Sequence, residues 1–181
     1  MSELDEAWTL ALAEAEAHAR SAGRQDISEY LALRSSNDLL RKTGSNWLLE
    51  MFTIAAGESN RAGAGIQVSR ADRHQFKVGT STMVGRSLNL ANGVRVLTVE
   101  LGWPRAPRDG FIRGGGLACG NIKHLGIKSA SQGIRLVLSQ TGAPQWIVEG
   151  KRGNQAIIHE ADVRRHVTIL LGDSRIHTKH S

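Results

Sequence analysis

Apolar positions recur at helical spacing through the first third of the chain and alternate with polar ones after it. In residues 3–22, Leu4, Ala7, Trp8, Ala11, Leu12 and Ala15 fall on one helical face. Acidic residues crowd the first turn, where the helix dipole favours them, and Gly23 supplies a stop. Asp26 or Ser28 caps a second predicted helix running to about Thr43, with Tyr30, Leu31, Leu33, Leu39 and Leu40 as its buried stripe. Gly44 is expected to end it. Ser45 then caps a third helix, Asn46 to about Ala56, carrying Trp47, Leu48, Met51, Phe52 and Ile54. The stretch Gly57–Gly65, with three glycines, Ser59 and Asn60, is the expected joint between the helical and β parts.

Beyond the joint the period falls to two. Residues 66–70 and 74–78 read as short strands around an Asp72-Arg73 turn. The sharpest signal is Asn92-Gly93, flanked by alternating runs Thr82–Ala91 and Val94–Leu101. Such a pair predicts a tight hairpin, because its turn demands positive φ. Closure on those two residues pairs Ala91 with Val94, Leu88 with Leu97 and Val84 with Leu101. One face then carries Val84, Leu88, Leu90, Leu97, Val99 and Leu101 as core, and Glu100 lands on the other face, opposite Gly85. Residues 102–126 read as irregular. Ile134–Ser139 is a strand, and Trp146–Glu149 with Gln155–His159 form a second hairpin around Lys151-Arg152-Gly153-Asn154. Glu160–Leu171 is an amphipathic helix with Val163, Val167 and Leu170 or Leu171 inward and Gly172 as its stop. The expected fold is α+β: about three N-terminal helices, a mainly antiparallel sheet and a C-terminal helix. Its organisation is an acidic helical segment 1–60, a basic β segment 61–172 that forms one compact domain with it, and a flexible tail 173–181.

Charge sharpens this division. Residues 1–60 hold five Lys/Arg against ten Asp/Glu, a net of −5, while residues 61–181 carry a net of +11. Such segregation favours an acidic partner for the β half, nucleic acid first among them. The bland alternative is that the acidic helices neutralise the basic sheet, within the chain or in a dimer. The single cysteine, Cys119, excludes an internal disulfide and fits a reducing, cytoplasmic setting. The acidic N-terminus has no apolar signal core, and no apolar run reaches the roughly 18 residues a membrane helix needs.

The most unusual stretch is Gly102–Gly116. Arg105, Arg108 and Arg113 offer planar donors suited to phosphate, and Trp103 and Phe111 could stack a base. Gly114, Gly115 and Gly116 could present backbone N–H groups to an anion. Lys123, His124, Lys128 and Arg135 extend the basic character, and from Trp103 to Arg135 six basic residues face one acidic residue. The glycine spacing matches neither a dinucleotide fingerprint nor a P-loop, so no nucleotide cofactor is expected. The seven histidines show no H-E-x-x-H or paired Cys/His spacing, which argues against zinc. A metal-dependent nuclease core fits poorly, because Glu100 lacks a following lysine and Gln75 stands where a carboxylate belongs before Lys77. Cys119 reads as a buried filler rather than a nucleophile. Glu100, His74, His124 and Lys77 are the candidates for metal-free RNA cleavage, with His or Glu moving protons and arginine steadying the phosphorane.

Three functions are implied, in order. The first is a nucleic-acid phosphate-backbone binding module, DNA or RNA, whose loop makes the contact and whose N-terminal helices hold a protein partner or a homodimer. The second is a small nuclease. The third is a protein-interaction subunit for an acidic partner.

Overall fold

A computed structural model describes residues 3–149 and 155–172. Helix α1 (Glu3–Ser21) is followed by α2 (Gln25–Arg61). Seven strands come next: β1 (Gln67–Val78), β2 (Ser81–Asn92), β3 (Arg95–Trp103), β4 (Ala118–His124), β5 (Gln132–Leu138), β6 (Pro144–Glu149) and β7 (Gln155–Ile157). Helix α3 (Glu160–Leu171) closes the described chain. The strands form one antiparallel sheet in chain order β1 to β7. The fold is α+β, with two N-terminal helices where the sequence suggests three. Among the described residues no helix is long and apolar enough to cross a membrane.

Two compact units are distinguished, Met1–Thr43 and Gly44–Ser181, with the boundary inside α2. In the first, Leu12, Ala19 and Ser28 are buried and the Arg34 guanidinium sits 5.2 Å from the Trp8 ring centre. The expected buried stripe of the second helix is not there. Tyr30 is 62% exposed, and Leu33 and Leu39 are as open. This part of α2 carries apolar residues around its circumference, so no single face can bury them all.

In the second unit α2 runs unbroken through Gly44, and the reason is a close approach. A Cβ at Gly44 would lie 2.7 and 2.9 Å from the two Leu136 methyl carbons. The Trp146 indole N–H donates to the Gly44 carbonyl at 2.8 Å. The glycine therefore admits the sheet to the helix instead of stopping the helix. Leu48, Leu49, Phe52, Ala55 and Ala56 of α2, with Val163, Val167 and Leu170 of α3, are buried with Leu88, Leu90, Leu97, Val99, Leu101, Ile122, Ile134, Leu136 and Trp146 of the sheet. At about 25 cal/mol per Å² of apolar area removed from water, this core is the main source of stability. Trp103 and Trp146 are buried, whereas Trp8 and Trp47 are exposed.

Several local expectations are corrected. Asp72-Arg73 is not a turn but a bulge inside β1: the register slips between Asp72 and His74, and Arg73 takes φ +60°. The β2–β3 hairpin turns on Gly93 and Val94, with Asn92 paired to Arg95. Glycine supplies the positive φ at the first turn position, +59°, and the register moves by two residues from the Asn-Gly closure. A shift of two keeps every side chain on its face, so the core face is as expected and Glu100 lies opposite Ser87 instead of Gly85. Residues 118–124, expected to be irregular, form the central strand β4. Helix α3 starts and stops where the sequence places it. The Asp162 carboxylate accepts the His159 N–H at 3.0 Å, and Gly172 ends the helix at φ +94°. The residues 151–154 of the second hairpin, and the tail with His177 and His180, lie outside the described residues.

Candidate functional site

The strand register sorts the candidates by face. Leu101, Val99 and Leu97 of β3 share their face with the helices. The alternate residues Gly102, Glu100 and Thr98 point the other way and pair with Cys119, Asn121 and Lys123 of β4. On that second face Arg135 pairs with Cys119, Gly133 with Asn121, and His74 with Gly85. The helix-free face thus gathers His74, Glu100, Asn121, Lys123 and Arg135 from four strands.

Glu100 is the centre of the group. It is only 4% exposed, an expensive place for a carboxylate unless every oxygen is satisfied. Its Oε2 meets His74 Nε2 at 3.1 Å, and its Oε1 accepts from Asn121 Nδ2 at 2.8 Å and from the Lys123 ammonium. Burial by itself would raise its pKa. Hydrogen bonds from Lys123, His74 and Asn121, with the Lys123 charge, outweigh that and hold the carboxyl below its ordinary range. His74 stacks on Phe76 with ring centres 5.8 Å apart. The partners remain open to solvent: the His74 side chain is 31% exposed and that of Lys123 52%. Beside them Gly133 leaves room, since an added Cβ would meet only Asn121 Oδ1, at 4.0 Å.

The arginine loop, residues 104–117, is strapped to this same face. Ile112 packs on a small cluster of Phe76, Met83 and Cys119. Ser81 Oγ donates to the Phe111 carbonyl at 3.0 Å and accepts the Phe111 N–H at 3.2 Å. Arg135 is buried, and its Nη1 donates to the Arg113 carbonyl at 3.0 Å and the Gly115 carbonyl at 3.4 Å. The three glycines adopt φ of +74°, +78° and +113°. The Gly115 carbonyl is turned to an internal guanidinium, and side chains at Gly114 and Gly116 would collide with Arg135. Gly114 and Gly115 thus serve loop geometry before any ligand. Asp109, the loop's only acid, accepts the N–H groups of Arg105 and Ala106 at 3.0 and 2.9 Å.

The outward side of the loop is basic. Arg105, Arg108, Phe111 and Arg113 are all exposed. Arg105 lies 4.0 Å above the Trp103 ring, and Trp103 itself is buried on the helix face, so the indole anchors the loop and offers no open platform. Among the described residues, Arg108 and Arg113 form no ion pair. Acids of the first sixty residues instead pair with Arg70 (Glu50, 3.1 Å) and Arg164 (Glu58, 2.8 Å).

The remaining candidates lie elsewhere. Lys77 has the strand parity opposite to His74 and is exposed. Lys128 sits on the β4–β5 connection. His124 points to the helix face, where its Nε2 meets His166 Nδ1 at 2.9 Å. His166 Nε2 in turn contacts Gln132 at 2.9 Å. Burial lowers both histidines, His166 to about 4. His166 also lines a cavity of about 340 Å³ with Gln132, Arg165, Ser129, Ile127 and Ile169. The structure therefore brings Glu100, His74 and Lys123 together and separates them from His124 and Lys77. Asn121 and His166 were not singled out by sequence, and Arg135 was named there only as part of the basic stretch. Alternation in residues 119–123 was the available signal for Asn121, obscured by the glycines around that strand. No group of three His, Cys, Asp or Glu suited to a metal occurs among the described residues.

Comparison with protein-family models, curated proteins and solved structures finds no match to this chain.

Proposed function

We propose that the chain is a nucleic-acid-binding module whose basic loop, 104–117, and adjoining helix-free sheet face contact phosphates. One observation carries this reading. Arg108 and Arg113 are exposed and without ion pairs among the described residues, on a loop fixed from beneath by Ser81 and Arg135. A fixed loop spends little entropy on binding, and exposed guanidinium groups match phosphate geometry. The exposed Phe111 ring beside them suits a base face. Mobility shift with single- and double-stranded DNA and RNA tests it. Binding at about 50 mM salt that weakens steeply as salt rises is expected from counterion release. No shift with any of these ligands at that salt rejects the proposal.

A protein contact through the N-terminal helices is the second part of the reading. Leu10, Tyr30, Leu33 and Leu39 are exposed there, more apolar surface than two helices ordinarily leave bare. Native mass measurement should show a dimer or a captured partner. A monomer insensitive to Tyr30→Ser and Leu33→Ser would remove this part alone.

A further inference from the structure

On the reading that this face binds nucleic acid, we propose that His74 is a general base, positioned by Glu100, that cleaves single-stranded RNA through its 2′-hydroxyl. The cluster is costly to the fold. A buried carboxylate with a lysine and a histidine seldom stabilises a fold more than apolar side chains of similar volume would. Here it occupies the middle of a sheet face, beside a small apolar cluster of Phe76, Met83, Cys119 and Ile112. Its partners His74 and Lys123 stay open to solvent. That is the arrangement a substrate needs: an anion held out of reach and a base within reach.

The geometry assigns the roles. Glu100 accepts from His74 Nε2 at 3.1 Å, which fixes the tautomer with the proton on Nε2 and the lone pair on Nδ1. Asn121 and Lys123 hold the carboxylate from its other oxygen, so it cannot rotate away from the imidazole. Glu100 is thus a positioning residue. Of the nearby hydroxyls and thiol on this face, Ser81, Ser87 and Cys119 are buried, and the Thr98 hydroxyl donates to the Asn89 side-chain oxygen at 2.7 Å. The proposed nucleophile is therefore the substrate's own: the ribose 2′-hydroxyl, which RNA supplies and DNA lacks. His74 Nδ1 takes the 2′-hydroxyl proton as the 2′-oxygen bonds to phosphorus. The bond from phosphorus to the 5′-oxygen breaks, and that oxygen leaves with a proton from the Lys123 ammonium. The products are a 2′,3′-cyclic phosphate and a 5′-hydroxyl, and solvent returns the two side chains to their starting protonation.

The test uses the full chain with end-labelled single-stranded RNA, the same sequence as 2′-O-methyl RNA, and the same sequence as DNA. Binding is read by mobility shift and cleavage on a denaturing gel. All three ligands should bind, and only unmodified RNA should be cut, to cyclic-phosphate ends. His74→Ala should slow cleavage of fully bound RNA at least about 100-fold, the lower range for a lost proton-transfer group. Added imidazole should restore part of that loss, which no structural role for His74 explains. Glu100→Gln should lower the single-turnover rate with Kd unchanged. Should that variant fail to fold, His74→Ala with imidazole rescue decides alone, because His74 is partly exposed. RNA bound but left intact overturns the dyad and spares the binding reading. Absence of binding overturns both. Equal cutting of 2′-O-methyl RNA or DNA overturns the 2′-hydroxyl step.

Discussion

Replacing His166 by Gln should flatten the acid limb of the stability curve. His166 is 2% exposed and sits between His124 and Gln132, both at 2.9 Å. Burial, then the His124 and Arg165 charges, lower its pKa from 6.5 to about 4, against a smaller pull upward from Asp162. The neutral ring is therefore the one the fold accepts. Between the two values the unfolded chain holds a proton that the folded chain does not. Stability from this site is complete above about pH 6.5 and is lost as pH falls toward 4. At about 1.4 kcal/mol per pKa unit, the loss is about 3 kcal/mol, with a slope near one proton. His124 is lowered by burial as well and adds in the same direction. Urea unfolding of wild type and His166→Gln, at intervals from pH 8 to pH 4, gives the comparison. Other titrating groups are common to both proteins, so the difference isolates the site. The wild type should lose stability faster below pH 6.5, and the two curves should converge toward pH 4. Parallel curves would refute the argument that the ring is neutral because it is buried.

Three further perturbations probe the scaffold. Gly85→Ala should destabilise by about 3 kcal/mol or more in chemical denaturation, because the added Cβ would overlap the Leu101 carbonyl oxygen and lie 2.6 Å from Gly102 Cα; a loss below about 1 kcal/mol would show that the strands can part easily. Trp146→Phe should cost about 2–3 kcal/mol, from the lost bond to Gly44 and the smaller ring in a fully buried place, read by the same unfolding assay. Ser81→Ala removes both hydrogen bonds to Phe111 and should cost about 1–2 kcal/mol while speeding proteolysis within 104–117; an unchanged cleavage rate would mean that Arg135 alone holds the loop.

Much of the sheet was legible because period two survives errors of register. The Asn92-Gly93 signal placed the hairpin, and although the turn moved to Gly93-Val94, Glu100 stayed on the face the alternation assigns it. Helix α3 was legible from end to end because its cap, stripe and terminal glycine agree. Gly44 misled because local chemistry cannot distinguish a glycine that ends a helix from one that lets Leu136 and Trp146 approach it. Strand β4 was hidden for a related reason: Gly120 in the strand, and Gly114 and Gly116 before it, answer to Arg135 and to neighbouring backbone across the sheet. At the site, sequence could nominate Glu100, His74 and Lys123 but could not bring them together. Their meeting depends on the β1 bulge at Arg73 and on β4 lying beside β3. Chain proximity pointed instead to His124, which the same alternation sends to the opposite face.

In the proposed binding mode the outward arginines of the 104–117 loop meet phosphates. Fluorescence anisotropy of a labelled single-stranded oligonucleotide, titrated with wild type and with Arg105→Ala/Arg108→Ala/Arg113→Ala across a salt series, measures it most directly. The wild-type affinity should fall linearly in log–log form, and the triple variant should lose about two units of slope, near 0.7 for each phosphate contact removed. An unchanged slope in a folded triple variant would contradict the account.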